Sequence, residues 1–474
     1  MEFRNLTPFD ALAFSALDTR DRAYHVVVLK VGLRLVQDGG QWSAVLMDED
    51  PCRLCLADEH WGAPGYSSIK QESDLAPYKP KCDVLVRGQS FAPQGKPASH
   101  WTARLRVVET FKEHVPAPSK PVALNPLMGL TLGQKQQWED AQRDYARRLE
   151  AVRARGSRVV LDKTIALRGP SEFFRTPLLG WKRSSSAAVL SVPLRWEQSF
   201  GGASIVPAAA KSLGSAGEVS PPLLNEVCFS NPVGCGWMEA RWEAAVKQST
   251  GRLPSSLPAP QIEASDLPPL EAPVWASNPE GEVSAERMKE VAASYKAKPV
   301  GLAALGRAWA PRLALAGTYD QAWRDTRHPK LPKDFDFAYY NAAPADQQID
   351  FPDLLRGYVL QTENLTPGGG WATVALPKHR AYALMRMDDG LVLPCPMQVD
   401  HIELDNENQE DVRLLLSFRC AVLKQAGVRV LEARFEVDPT RDLLTLEPSA
   451  DYQGPTPEGL KAERARDAGE AAHG

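Results

Sequence analysis

Cys52-Arg53-Leu54-Cys55 has the spacing of half a zinc site, with His60 and Cys82 as the residues that could complete it. A structural zinc site usually draws its four ligands from two such pairs, and a second pair is missing. In a strand, alternation would also turn Cys52 and Cys55 to opposite faces. Ordinary thiols are expected, with no metal and no cofactor. Carboxylates offer more. Glu72 and Asp74 lie two residues apart, Glu197 stands by itself, and Asp320, Asp334, Asp336 and Asp346 form a loose series. Paired acids could hydrolyse a glycoside or hold a hard cation. However, Asp334 follows Leu331-Pro332-Lys333 and Asp346 follows Ala343-Pro344-Ala345. In such turns a short acid accepts nearby backbone N–H groups, so capping is expected of these side chains.

Nucleophile and phosphate motifs are missing. There is no Gly-x-Ser-x-Gly elbow, no Gly-x-x-x-x-Gly-Lys loop and no His-Glu-x-x-His. Ser67-Ser68-Ile69-Lys70 contains a Ser-x-x-Lys spacing without its companion motifs. Gly368-Gly369-Gly370 leads into a strand pattern at Trp371, whereas a phosphate loop leads into a helix. Gly201-Gly202 and Gly234-Cys235-Gly236 suit positions where backbone must approach backbone closely.

The elements that must position these residues are mostly strands. Tyr24–Val36 is an apolar, β-branched run, and Gly39-Gly40 then Trp42–Met47 follow it as a hairpin would. His100–Val107 alternates, with Trp101, Ala103, Leu105 and Val107 on one face. Further strand patterns cover Arg158–Leu167, Ala187–Trp196, Val412–Arg419 and Ala433–Val437. Between Gly133 and Gly156 the period changes: Trp138, Ala141, Tyr145, Leu149 and Val152 share one helical face. Glu139 with Arg143 and Asp144 with Arg148 are favourable i,i+4 pairs, and Gly156 is a natural stop. A short helix is expected over Glu282–Lys296. These patterns predict a mainly β fold of antiparallel sheets, a sandwich or open barrel, with one inserted amphipathic helix and few short helices. The expected organisation is a β-rich region over 1–253 with the helical insertion at 133–156. A Pro-rich connector over 254–276, a second β-rich region over 277–453 and a frayed tail over 454–474 complete it.

Composition narrows the function. The 474 residues carry 55 Lys plus Arg against 59 Asp plus Glu, a formal charge of −4, which lacks the one-signed field of a nucleic-acid binder. No apolar run is long enough to span a membrane, and no signal peptide pattern opens the chain. Seven cysteines, an odd and scattered set, suit a reducing compartment, so a cytoplasmic location is expected.

Longer strings carry a resemblance. They are Ser67-Ser68-Ile69-Lys70-Gln71-Glu72-Ser73-Asp74-Leu75-Ala76-Pro77-Tyr78-Lys79-Pro80, Pro193-Leu194-Arg195-Trp196-Glu197-Gln198-Ser199-Phe200-Gly201-Gly202 and Asn231-Pro232-Val233-Gly234-Cys235-Gly236. Ala316-Gly317-Thr318-Tyr319-Asp320-Gln321-Ala322-Trp323, Leu331-Pro332-Lys333-Asp334-Phe335-Asp336 and Asn341-Ala342-Ala343-Pro344-Ala345-Asp346-Gln347 follow in order. Together they resemble the bacterial family called domain of unknown function 2169, from Asn5 to about residue 440, with the 133–156 helix as an insertion. The resemblance implies a type VI secretion accessory protein: an adaptor or chaperone that loads an effector onto the spike through the VgrG and PAAR tip proteins. It brings no catalytic residues. Glu72, Asp74, Glu197, Gly201, Gly202, Asp320, Asp336 and Asn341 are expected to serve structure. Trp138, Tyr145 and Leu149 are the candidate anchors for a partner, since an inserted amphipathic helix is a handle for groove docking. The rivals are a carboxylate hydrolase using Glu72, Asp74 or Glu197, and a structural component of the spike.

Overall fold

The apolar run at residues 26–33 becomes the middle of Ala23–Asp38, the longest strand among the described residues. Its side chains from Val26 to Leu33 are buried on both faces, which explains why the sequence there is continuous rather than alternating. The computed structural model describes residues 1–110, 132–202, 204–205, 223–224, 231–239, 247, 251, 255–276, 298–424 and 427–440. The fold is mainly β, in several mostly antiparallel sheets, and the described residues form no closed barrel.

Ala23–Asp38 sits inside a seven-stranded sheet. The order is Asp10–Leu17, Ala23–Asp38, Arg413–Leu423, Gln398–Asp405, Cys82–Arg87 and Gln348–Ile349, with Gln41–Leu46 also pairing with Ala23–Asp38. Only Cys82–Arg87 with Gln398–Asp405 is a parallel pair in this sheet. A five-stranded sheet runs Ile262–Ala264, Arg158–Arg168, His100–Glu109, Tyr358–Glu363, Trp371–Ala375. A four-stranded sheet runs Glu2–Asn5, Val428–Glu436, Arg380–Met387, Val392–Pro396. Leu29 and Leu33 from the first sheet, Leu105 and Ile165 from the second, and Ala383 and Leu431 from the third share one apolar core.

Behind the seven-stranded sheet the packing is polar. Lys30, Ser417, His401 and Asp83 lie in register across four adjacent strands. The segment after Ile69–Gln71 covers them, and Lys30 meets Asp74 at 2.8 Å under that cover. Arg419 donates to the carbonyls of Asp74 (2.9 Å) and Ala76 (2.5 Å), which fixes the cover to the sheet.

The helix spans Leu132–Arg155 and is the longest among the described residues; Gly156 follows with φ +60°. Arg148 pairs with Asp144 as the spacing predicts, but Arg143 pairs with Asp140 at 2.6 Å instead of Glu139. An acid three residues back competes on equal terms with one four back, and a single guanidinium takes one of them.

Other expectations change. The strand pattern over Ala187–Trp196 yields only Ser191–Pro193 and a single bridge at Val189, because the Ala187 N–H turns away to the Pro170 carbonyl. The Pro-rich 254–276 stretch is no divider between β-rich regions. Both large sheets take strands from before and after it, and Ser256–Pro258, Ile262–Ala264 and Val274–Ala276 within it are themselves edge strands. Proline forbids a central position but tolerates an edge, and that is where these strands lie. The Glu282–Lys296 helix and the 454–474 tail fall outside the described residues. No helix among the described residues is long and apolar enough to cross a membrane.

Candidate functional site

Three of the longer strings, those beginning at Ser67, Pro193 and Asn231, meet at one place. Trp196–Gln198 form a short 3-10 turn, which points Glu197 at Ser68. One Glu197 oxygen accepts the Ser68 N–H and the other its hydroxyl, both at 2.6 Å. The Trp196 indole N–H donates to the Ala304 carbonyl at 2.7 Å. Its ring lies on Gly301, where a Cβ would stand 3.1 Å from it. Asn231 closes the junction by donating to the carbonyls of Trp196 (3.0 Å) and Phe200 (2.9 Å), while its own carbonyl accepts the Gly202 N–H at 2.9 Å. Gly201 must be glycine here, since a Cβ would strike Asn231. Gly236 has φ +83°, and Pro260 packs where a side chain would project.

Beside this junction opens a cleft of about 710 Å³, lined by Tyr66, Glu172, Glu197, Gln198, Met238 and Leu257 among others. Its wall mixes apolar side chains with Gly234, Cys235 and Gly236 at the start of the Cys235–Glu239 strand. Trp61 flanks the junction, with the Arg195 guanidinium 3.8 Å and the Lys70 ammonium 5.0 Å from its ring centre.

The remaining acids are each tied to a partner. Glu72 forms a two-pronged pair with Arg312, one arm at 2.6 Å. Arg312, 3% exposed, also donates to the Tyr339 carbonyl at 2.7 Å. Burial works against its charge, but Glu72 raises its pKa above the ordinary arginine value. Asp74 accepts from the Lys30 ammonium and the Cys55 N–H, each at 2.8 Å. Burial disfavours its charged form, yet Lys30 and these bonds hold its carboxyl below the usual range. Asn341 donates to the Lys81 carbonyl (2.8 Å) and to Asp83 (2.9 Å). Asp320 caps Gln321–Thr326 by accepting the Trp323 N–H, and Asp336 caps Phe337–Tyr340 through the Ala338 N–H. Asp334 accepts from Thr318, and Asp346 from Lys163 at 2.8 Å.

The half-zinc spacing resolves into separate thiols. The Cys55 thiol donates to the Ala57 carbonyl, Cys82 is sealed in its strand, and Cys52 lies against Gly32. Burial pushes Cys55 up to about 11 and Cys235 up to about 12, so both are protonated at neutral pH and are poor nucleophiles. Among the described residues no group of three or more His, Cys, Asp or Glu could hold a metal ion.

A family model described as an uncharacterized protein conserved in bacteria (DUF2169) matches residues 20–120 and 141–419. The chain belongs to the DUF2169 family. The break in the match, 121–140, takes in only the first part of the long helix, whose later residues align with the family. No curated protein and no solved structure matches the chain.

Sequence reasoning singled out the acids but missed most of their partners. Lys30 had a signal: it is the lone charge between Val26 and Leu33, and a lone cation in a buried run needs an anion. Arg312 had none. On the helix, Trp138 and Tyr145 are half-buried, and the Leu149 side chain lies outside the described ones.

The Glu197 bonds give a graded expectation. Glu197→Gln can still accept from the Ser68 N–H while its amide faces the hydroxyl oxygen, so a loss of about 1 kcal/mol is expected. Glu197→Ala strands the Ser68 N–H and should cost about 1–3 kcal/mol. Urea unfolding curves of the two variants check the order, and equal stability in both would contradict it.

Proposed function

We propose that this protein is an adaptor or chaperone that binds a cognate type VI secretion effector and helps load it onto the spike through VgrG and PAAR tip proteins. The observation that carries the reading is the use made of the motif side chains. Glu72, Asp74 and Glu197, the acids on which a hydrolase would depend, are each taken up by donors that pin distant segments together. A general base needs a free lone pair aimed at substrate, and a carboxylate already held by two donors is badly placed for that work. What remains for function is surface. A broad multi-sheet body with a cleft beside the motif junction offers edges and recesses that can shelter an extended or amphipathic segment. A carrier must also release its cargo, which favours a moderate interface with a few anchors over a large obligate one.

A deletion strain assayed for delivery of the neighbouring effector and of unrelated ones tests this. Loss of the one cargo, with secretion otherwise intact and a direct complex in pull-down, is the expected result. Loss of all secretion would make the protein a structural part of the spike. Normal delivery without a partner, or a Glu197→Gln variant that keeps its stability and loses function, would favour the hydrolase.

A further inference from the structure

The strands Glu172–Thr176 and Gly180–Arg183 form a hairpin whose tip, Pro177-Leu178-Leu179, is bare. Leu178 is 95% exposed and Leu179 66%. Turn tips ordinarily carry Gly, Asn, Asp or Ser, which are at ease in water, so adjacent leucines there are an anomaly. The tip is also fixed. The Thr176 hydroxyl accepts the Leu179 N–H at 3.2 Å and donates to the Gly180 carbonyl at 3.1 Å, and Gly180 closes the turn at φ +70°. The base is anchored: Phe173 is fully buried, and Arg183 bonds to Glu263 (3.0 Å), to the carbonyls of Pro260 (2.5 Å) and Leu270 (3.0 Å), and to Ser171. A rigid turn therefore holds two leucines in solvent with little left for them to pack against.

We propose that this tip is a docking knob that inserts into an apolar recess on a partner protein, a recess bordered by carboxylates. Charge selects that border. Of the charged side chains on the two hairpin strands, Arg175, Lys182 and Arg183 are cations and the one acid, Glu172, stands at the end away from the tip, so the exposed Lys182 sets the charge beside the leucines. Two leucines are too little apolar area to anchor a chain in lipid, but they suffice as the centre of a protein contact whose rim adds steering. Because the ordering of the turn is already met by Thr176 and Gly180, docking freezes little further motion. This inference rests on the adaptor reading and gives it a contact surface.

The test uses the full chain and the effector or spike-tip protein encoded beside it, with affinity read by titration calorimetry. L178S/L179S should keep the melting temperature of the parent, as substitutions of exposed residues do. It should bind at least about tenfold more weakly, from the lost burial of two leucines. L178M/L179M should bind as the parent does, and Lys182→Glu should slow association at low salt. Parent binding matched by L178S/L179S would overturn the knob and leave the adaptor reading standing. A parent that binds neither neighbouring protein would sink both. Sedimentation with vesicles of equal phosphatidylglycerol and phosphatidylcholine, abolished in L178S/L179S, would assign the tip to a lipid surface and overturn the protein recess.

Discussion

Asp83→Ala should cost about 3–5 kcal/mol of folding stability, the penalty for removing one partner of a buried ion pair. Asp83 is fully buried in the Cys82–Arg87 strand. It faces the Lys79 ammonium at 3.0 Å and accepts the Asn341 amide (2.9 Å) and the N–H groups of Ala342 (3.0 Å) and Ala343 (3.2 Å). Four donors converge on one carboxylate, and truncation strands all of them away from water. The loss also has a structural consequence. The Asn341–Ala343 turn is pinned to the large sheet through Asp83, and the aromatic segment Phe335–Tyr340 enters that turn. Asp83→Asn keeps an acceptor but turns an amide toward these donors, so it should fall between Ala and the parent. Urea unfolding followed by tryptophan fluorescence gives both numbers. A loss below about 1 kcal/mol for Ala would mean that water replaces the carboxylate.

Secondary structure was legible wherever periodicity was strong. Ala23–Asp38, His100–Glu109, Arg158–Arg168, Arg413–Leu423 and the Leu132–Arg155 helix stand within a few residues of their sequence patterns, while the Ala433–Val437 pattern marks only the second half of Val428–Glu436. Pairing was not legible. Periodicity reports which face of a strand is apolar and is silent about which strand lies beside it, so the Pro-rich stretch read as a divider between regions whose strands in fact share sheets. The weak pattern over Ala187–Trp196 failed for a related reason, since short edge pieces are held by neighbours rather than by their own composition.

The acids show the same limit at the scale of single residues. The turn contexts pointed to local caps at Asp334 and Asp346, but these acids accept from Thr318 and Lys163 on other segments, and the caps are made by Asp320 and Asp336, each within three residues of its N–H. Glu197 and Ser68 are 129 residues apart, and Glu72 and Arg312 are 240 apart. Nothing local distinguishes Arg312 among 55 Lys and Arg. Chemistry could therefore be weighed from motif types, while the reason these acids are unsuited to it appeared only with their partners.

Acid should unfold this protein well before it protonates every carboxylate. Burial disfavours the charge of Glu403, but Arg87 and His401 overcome it and bring its pKa down to about 2 from an ordinary 4.5. A folded-state pKa below the unfolded one means that the unfolded chain binds the proton first, so stability is present above pH 4.5 and is lost as pH falls toward 2. Glu403 alone contributes roughly 3 kcal/mol in this way. Asp74 and Asp83 are lowered too, each against its own burial, by Lys30 and by Lys79 respectively, and they add to the loss in the same direction. Asp405 is raised by burial, with Glu403 adding to the shift, and it opposes them only in the narrow range above its usual value. His25 and His379 start the decline earlier. Burial lowers both below 6.5, so the unfolded chain takes up protons that the folded one refuses as pH drops beneath that value. The melting temperature should therefore sag gently below about pH 6.5 and fall steeply below about 4.5. Thermal scans at constant ionic strength from about pH 8 to about pH 3 measure it. In Glu403→Gln the steep phase should shrink while the shallow histidine phase persists. A melting temperature that stays level between about pH 6 and about pH 3 would mean that the buried carboxylates behind the large sheet contribute nothing through their charge.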